Sequence, residues 1–173
     1  MIFLDSWVWL EFLFDGNVAD AAESGIERAA SPSEGGLVAP TVIMEVSYRI
    51  RSVEDERTAD EAVRAIRDYD NITSVPIVDE VGEYAAELRF EYYDRSERDL
   101  SYADAIHLAI AALHDDCEVL YTGDPDFDGV DEVETSMAST RSRRSCCSRW
   151  LAGQGNTLSG LDRCCIPDTP RRS

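Results

Sequence analysis

An α/β domain built on a parallel sheet is the fold class this chain predicts, and three observations predict it. Short apolar runs alternate with helical patterns along residues 1–135, which is the signature of strand–helix–strand units with right-handed crossovers. The first run, Met1-Ile2-Phe3-Leu4, has no polar alternation, as in a strand buried on both faces. Residues 101–114 are apolar almost all round, so they read as a central, buried helix.

Taken in order, the first strand ends on Asp5, and Ser6 is expected to cap a helix that carries Trp7, Val8, Leu10 and Leu13 at helical spacing. Asp15-Gly16-Asn17 marks a turn before a second helix at about 18–30. Leu37-Val38-Ala39 is the second strand, and Pro40-Thr41 opens a helix whose apolar stripe is Val42, Ile43, Val46, Ile50 and Val53. Glu45 borders that stripe. An amphipathic helix follows at about 56–70, then a strand over Thr73–Ile77 that Pro76 assigns to a sheet edge. Asp79 is expected to cap the next helix, and a charged loop from Asp94 to Asp99 leads into the apolar helix. Glu118–Tyr121 is a fourth strand, running into Thr122-Gly123-Asp124-Pro125-Asp126-Phe127, and residues 130–135 supply a short fifth.

Composition bounds the function. Of 173 residues, none is lysine, and the net charge is −19. The charge is divided: residues 1–135 carry 33 acids and 9 arginines, whereas residues 136–173 carry 2 acids and 7 arginines. A lysine-free, acid-rich surface resembles proteins of salt-in halophiles, where salt screens the self-repulsion; a surface for a basic partner is the alternative. No apolar stretch reaches membrane-spanning length and the N-terminus lacks a positive segment, so a cytoplasmic protein with no membrane partner is expected. The adjacent pairs Cys146-Cys147 and Cys164-Cys165 lack zinc-ligand spacing, so neither a zinc site nor disulfides are expected. Residues 136–173, rich in Arg, Ser and Cys and without apolar periodicity, read as a disordered tail appended to a domain of residues 1–135. A basic nucleic-acid arm is the functional alternative, and the composition also resembles a shifted reading frame.

The carboxylates carry the chemistry. Asp5 and Asp124 each end a buried strand, Asp104 lies near the start of the apolar helix, and Glu45 borders a core-facing stripe. A buried, unpaired carboxylate costs several kcal/mol. Each acid also has a structural explanation: Asp5 as a helix cap, Glu45 paired with Arg49, Ser101-x-x-Asp104 as a capping box, Asp124 and Asp126 as turn formers. Jointly they fall at one end of one sheet, where α/β folds bind ligands. With no lysine available, a divalent cation would balance all four. An all-oxygen donor set points to Mg2+ or Mn2+, which activates water for phosphodiester hydrolysis.

The order Leu4-Asp5-Ser6, Glu45, Ser101-x-x-Asp104-Ala105 and Thr122-Gly123-Asp124-x-Asp126-Phe127 resembles the PIN-domain family, and within it the VapC-type toxins of toxin–antitoxin modules, over residues 1–135. The resemblance implies a three-layer α/β/α fold with a mostly parallel sheet of about five strands. It implies an Mg2+- or Mn2+-dependent endoribonuclease in which Asp5, Glu45, Asp104 and Asp124 are catalytic metal ligands and Asp126 is an auxiliary acid. Ser6 and Thr122 would be supporting polar groups, and the family implies a homodimer and a cognate antitoxin. Arg49 and Arg51, with Arg57, Arg64 and Arg67, are the candidate RNA-contacting strip. His107, one helical turn from Asp104, reads as a core residue more than as a general acid. The resemblance fades after Thr135, which leaves the fifth strand open to damage. Two rivals remain at this level: a catalytically impaired PIN fold that sequesters an antitoxin, and a phosphatase using Asp5 or Asp124-x-Asp126 as nucleophile, for which the downstream lysine is missing.

Overall fold

The computed structural model describes residues 1–94 and 98–136. Five strands, β1 (Ile2–Leu4), β2 (Gly36–Val38), β3 (Ile72–Ser74), β4 (Val119–Tyr121) and β5 (Glu134–Ser136), form one sheet in the order β3-β2-β1-β4-β5. Every pairing is parallel, with Phe3 opposite Leu37 on one side and Leu120 on the other. The helices are α1 (Ser6–Leu13), α2 (Ala19–Ala29), α3 (Pro40–Val53), α4 (Glu56–Arg67), α5 (Asp79–Tyr92) and α6 (Tyr102–Leu113). The architecture is three-layered, α/β/α.

The connections explain where a site can form. From β1 the chain steps outward to β2 and β3, then returns to place β4 on the other side of β1. The reversal puts a topological switch point between β1 and β4, and ligands of open α/β sheets bind beyond the carboxyl ends of such strands. The ladder runs to that edge: the Asp5 amide donates to the Tyr121 carbonyl at 3.2 Å, and the Thr122 amide to the Ser136 carbonyl at 3.2 Å.

The core is continuous across the sheet, with Phe3, Leu4, Trp9, Leu37, Leu108 and Leu120 fully buried. Helix α6 buries Ala105 and His107 through Ala111, as its composition required, although Tyr102 and Leu113 at its ends are exposed. Helix α2 comes close to the sheet at Gly25, where an added Cβ would stand 2.4 Å from the Tyr121 ring. That ring is held in place by its hydroxyl, which donates to the Ala21 carbonyl at 3.0 Å.

Several local expectations need correction. The cap of α1 is Asp5, not Ser6: its Oδ1 accepts from the Ser6 amide at 2.7 Å, because the carboxylate reaches an orphan donor that the shorter hydroxyl one residue later cannot serve. Asp79 does not cap α5 but occupies its first turn, where a carboxylate still favours the helix dipole. Val53 is exposed rather than part of the α3 stripe, since it ends the helix beyond the packed face. β2 and β3 each begin one residue earlier than expected, and β3 stops at Ser74, short of Pro76, while keeping its edge position. β5 comes late, at Glu134–Ser136, and pairs with β4 over three residues. Ser136 thus belongs to the sheet and not to the tail; the rest of the expected tail lies outside the described residues.

Gly25→Ala is expected to lower stability by about 1–3 kcal/mol, since Tyr121 cannot recede without losing its bond to Ala21. Chemical denaturation of the two proteins checks it, and an unchanged midpoint would show the ring free to move.

Candidate functional site

Asp5 stands at the end of the central strand and is almost fully buried. Its carboxylate takes part in three hydrogen bonds, which leaves a lone pair on Oδ2 for a further partner. Oδ1 accepts from the Ser6 amide and meets His107 Nδ1 at 2.9 Å, while Oδ2 accepts from the Thr122 hydroxyl at 2.9 Å. Burial alone would push the Asp5 carboxyl up, but the bond and charge of His107, then Thr122 and Ser6, outweigh it and hold the group below its ordinary value.

The partner of Asp5 is the residue whose role the sequence left unread. His107 is completely buried, as a core residue would be, yet both ring nitrogens are bonded: Nδ1 to Asp5 and Nε2 to Thr41 Oγ1, each at 2.9 Å. Its Nε2 also lies 3.9 Å from Glu45 Oε2. Burial disfavours the imidazolium, but Asp5, followed by Glu45 and Asp104, raises the group above its ordinary value. His107 therefore gives Asp5 a hydrogen-bond partner from within the helix, where the sequence pointed only to an external cation. The readable signal was a lone imidazole on a buried helix, where both nitrogens must find partners.

The other acids converge on the same edge. Asp104 completes a capping box at the start of α6, its Oδ2 accepting from the Ser101 amide at 2.9 Å and its own amide donating to Ser101 Oγ at 3.1 Å. Capping and membership of the site are not alternatives here, since ligand atoms of Asp5, Asp104 and His107 all lie within 4.8 Å of one another. Asp124 caps the 3-10 turn Pro125–Phe127 by accepting from the Asp126 amide at 2.9 Å, and its amide donates to Thr122 Oγ1 at 3.1 Å. Thr122 thus ties Asp5 and Asp124 together. Burial, then the negative charges of Asp104, Asp126 and Asp5, raise the Asp124 carboxyl. Glu45, on α3, is raised chiefly by burial and further by Asp104 and Asp5, against the opposing pull of His107 and a Ser6 hydrogen bond. Asp126 turns elsewhere, its Oδ1 accepting from the Asp99 amide at 3.3 Å. Arg51 is occupied by Glu56 and Asp60 of α4, each at 2.9 Å, whereas Arg49 is exposed and makes no ion pair among the described residues.

A divalent cation fits these residues. Glu45 Oε2 is buried with no hydrogen-bond partner, and two neighbouring carboxyls are destabilised by burial and like charge. Both His107 nitrogens are already bonded, so the available donors are carboxylate oxygens, the ligands of hard cations. Asp5, Glu45, Asp104 and Asp124 are the residues that could hold it.

A family model described as PIN domain matches residues 2–133. Among solved structures, VapBC2 of Rickettsia felis bound to a DNA fragment from its promoter is similar with a TM-score of 0.62 at 14% identity, over 79% of this chain and 98% of that one. The sarcin–ricin-loop-cleaving VapC toxin of Mycobacterium tuberculosis gives 0.60 at 23%, over 77% and 98%. A toxin–antitoxin complex from Klebsiella pneumoniae gives 0.55 at 26%, over 77% and 95%. No curated protein matches the chain.

The Asp5–His107 pair sets a pH dependence. A raised His107 contributes stability that is full below its unfolded value, about 6.5, and is lost as pH rises through the higher folded value. In EDTA, wild-type stability is expected to fall across that upper window, and His107→Gln is expected to be less stable at pH 6 and to lack the slope. Denaturation midpoints over a pH series check this; parallel profiles would show the imidazole uncharged in the fold.

Proposed function

The chain belongs to the PIN-domain family, and on that premise we propose that it is a divalent-metal-dependent endoribonuclease, the toxin of a toxin–antitoxin pair. The observation that carries this reading is the approach of Asp5 and Asp104 at the switch point, with Glu45 and Asp124 near enough to feel their charge and one buried Glu45 oxygen left unbonded. These four residues would hold Mg2+ or Mn2+, which when bound activates water and offsets the charge that develops on a phosphate.

The chain's own groups do the positioning. Thr122, Ser6 and His107 fix the Asp5 carboxylate in one orientation. Thr122 also anchors the amide of Asp124, so a single hydroxyl sets the spacing of two acids from neighbouring strands. Ser6 reaches Glu45, and the capping box holds Asp104. Asp126 acts one step removed, its amide setting the Asp124 carboxylate. Arg49 is the better placed of the two candidate phosphate contacts, since Arg51 is engaged by α4.

The toxin assignment is supported by neighbours that are VapBC and toxin–antitoxin complexes, so a cognate antitoxin and a homodimer are proposed with it. We further propose that residues 1–136 are the nuclease and 137–173 an appendage, and that the protein works in the cytoplasm of a halophile. Among the described residues, no helix is long and apolar enough to cross a membrane.

Labelled structured RNAs incubated with the protein and Mn2+ in molar KCl are expected to be cut, and EDTA is expected to stop the cutting. Loss of an outer partner of a metal ligand costs 10–100-fold, so Asp5→Asn should lower the rate by at least about 100-fold. Cleavage that survives EDTA or Asp5→Asn would refute the assignment. A folded, antitoxin-free protein that binds no Mn2+ would instead leave a PIN fold that only sequesters its antitoxin.

A further inference from the structure

A second feature stands at the N-terminus of α6, the helix whose first turn carries Asp104. Tyr102 is the first residue of α6, two positions before Asp104, and it is 75% exposed. Beneath it lies Arg89, on the last turn of α5, with its guanidinium carbon 4.3 Å from the Tyr102 ring centroid and 4.2 Å from that of Tyr93. The guanidinium is sandwiched between two phenol rings. Its Nη1 is buried and has no hydrogen-bond partner among the described residues, and Arg89 makes no ion pair there, although acids outnumber arginines by more than three to one in residues 1–135. Phe90, beside it on α5, is 91% exposed.

A stack of this kind is preorganised. The planar, weakly hydrated guanidinium holds Tyr102 flat on one side, and the other face of the ring is open to solvent. An open aromatic face on the same helical turn as Asp104 is a surface on which a splayed nucleobase can stack. Charge makes such a contact necessary. The acidic domain repels a phosphate backbone, and counterion release offers little at high salt, so affinity has to come from contacts that salt does not screen. Base stacking is one.

We propose that Tyr102, backed by Arg89 and Tyr93, is a stacking platform for an unpaired RNA base next to the scissile phosphate; the proposal rests on the ribonuclease reading and names how its substrate is gripped. A base locked in a duplex cannot reach the ring, so the contact requires an unpaired base. The stacked base is one contact and the carboxylate site the other, so the platform sets which phosphate is presented.

The test is fluorescence anisotropy with the full chain in molar KCl and EDTA, where nothing is cut. The probes are a labelled short oligoadenylate and a matched oligomer of abasic ribose phosphate. Wild type and Tyr102→Phe are expected to bind oligoadenylate alike, since the ring is kept. Tyr102→Ala is expected to bind it about 5- to 150-fold more weakly, the range for one stacked base. The abasic oligomer should bind all three proteins equally weakly. Equal affinity of Tyr102→Ala and wild type for oligoadenylate overturns the proposal, and so does no wild-type binding. A changed oligomeric state of Tyr102→Ala at unchanged RNA affinity overturns it too, and would make the patch a protein interface. Wild-type cleavage of structured RNA with Mn2+, run in parallel, tells failure of the platform from failure of the ribonuclease reading.

Discussion

Everything at the functional edge depends on one buried carboxylate. Asp5 has to be where it is because β1 is the central strand and its carboxyl end is the switch point. A charge at that depth persists only if it is bonded and countered, and His107, Thr122 and Ser6 do both. Those three residues come from three elements around the sheet, so satisfying Asp5 also fixes how α6, the β4 loop and α1 meet. Each contact is then reused. Thr122 passes its constraint to Asp124, His107 passes its own to Thr41 at the start of α3, and Ser6 reaches Glu45. Asp5 is held by three hydrogen bonds while a buried Glu45 oxygen has none, and that difference is what supports the proposed cation site.

The same arrangement explains how so acidic a domain keeps four carboxylates together. Helix termini supply part of the compensation. Asp5 caps α1, Asp104 belongs to the capping box of α6, and Asp124 caps a 3-10 turn. Backbone donors at these ends bond the carboxylate oxygens without a cationic side chain. Glu45 has no such cap, because it sits inside α3, and it is accordingly an acid whose buried oxygen has no partner.

The succession of strands and the helix that would be buried were legible because they depend on uninterrupted apolar runs, which signal burial on both faces wherever the partners lie; the order of the strands in the sheet was not. The four acids were legible because each breaks the apolar pattern of its own segment. What could not be read was the bond between Asp5 and His107, which joins residues 102 positions apart in the chain. Periodicity shows that His107 faces inward; it does not show what it meets. Thr41 was hidden for a similar reason, since a threonine behind a helix-opening proline looks like a terminus signal. Asp5, Asp104 and Asp124 all cap helix ends, and capping does not exclude them as ligands, because those ends lie at the same edge of the sheet. The stack of Tyr93, Arg89 and Tyr102 was likewise unreadable, as it depends on the end of α5 folding against the start of α6.

The central claim is that Asp5, Glu45, Asp104 and Asp124 form one cation site. Crystals of the protein soaked in Mn2+ and measured at the manganese absorption edge test it most directly. The account predicts an anomalous peak within coordination distance of carboxylate oxygens from Asp5 and at least two of the other three, with Glu45 Oε2 or its paired oxygen turned towards it. A fully ordered site with no peak, or manganese bound only at unrelated surface acids, would contradict it.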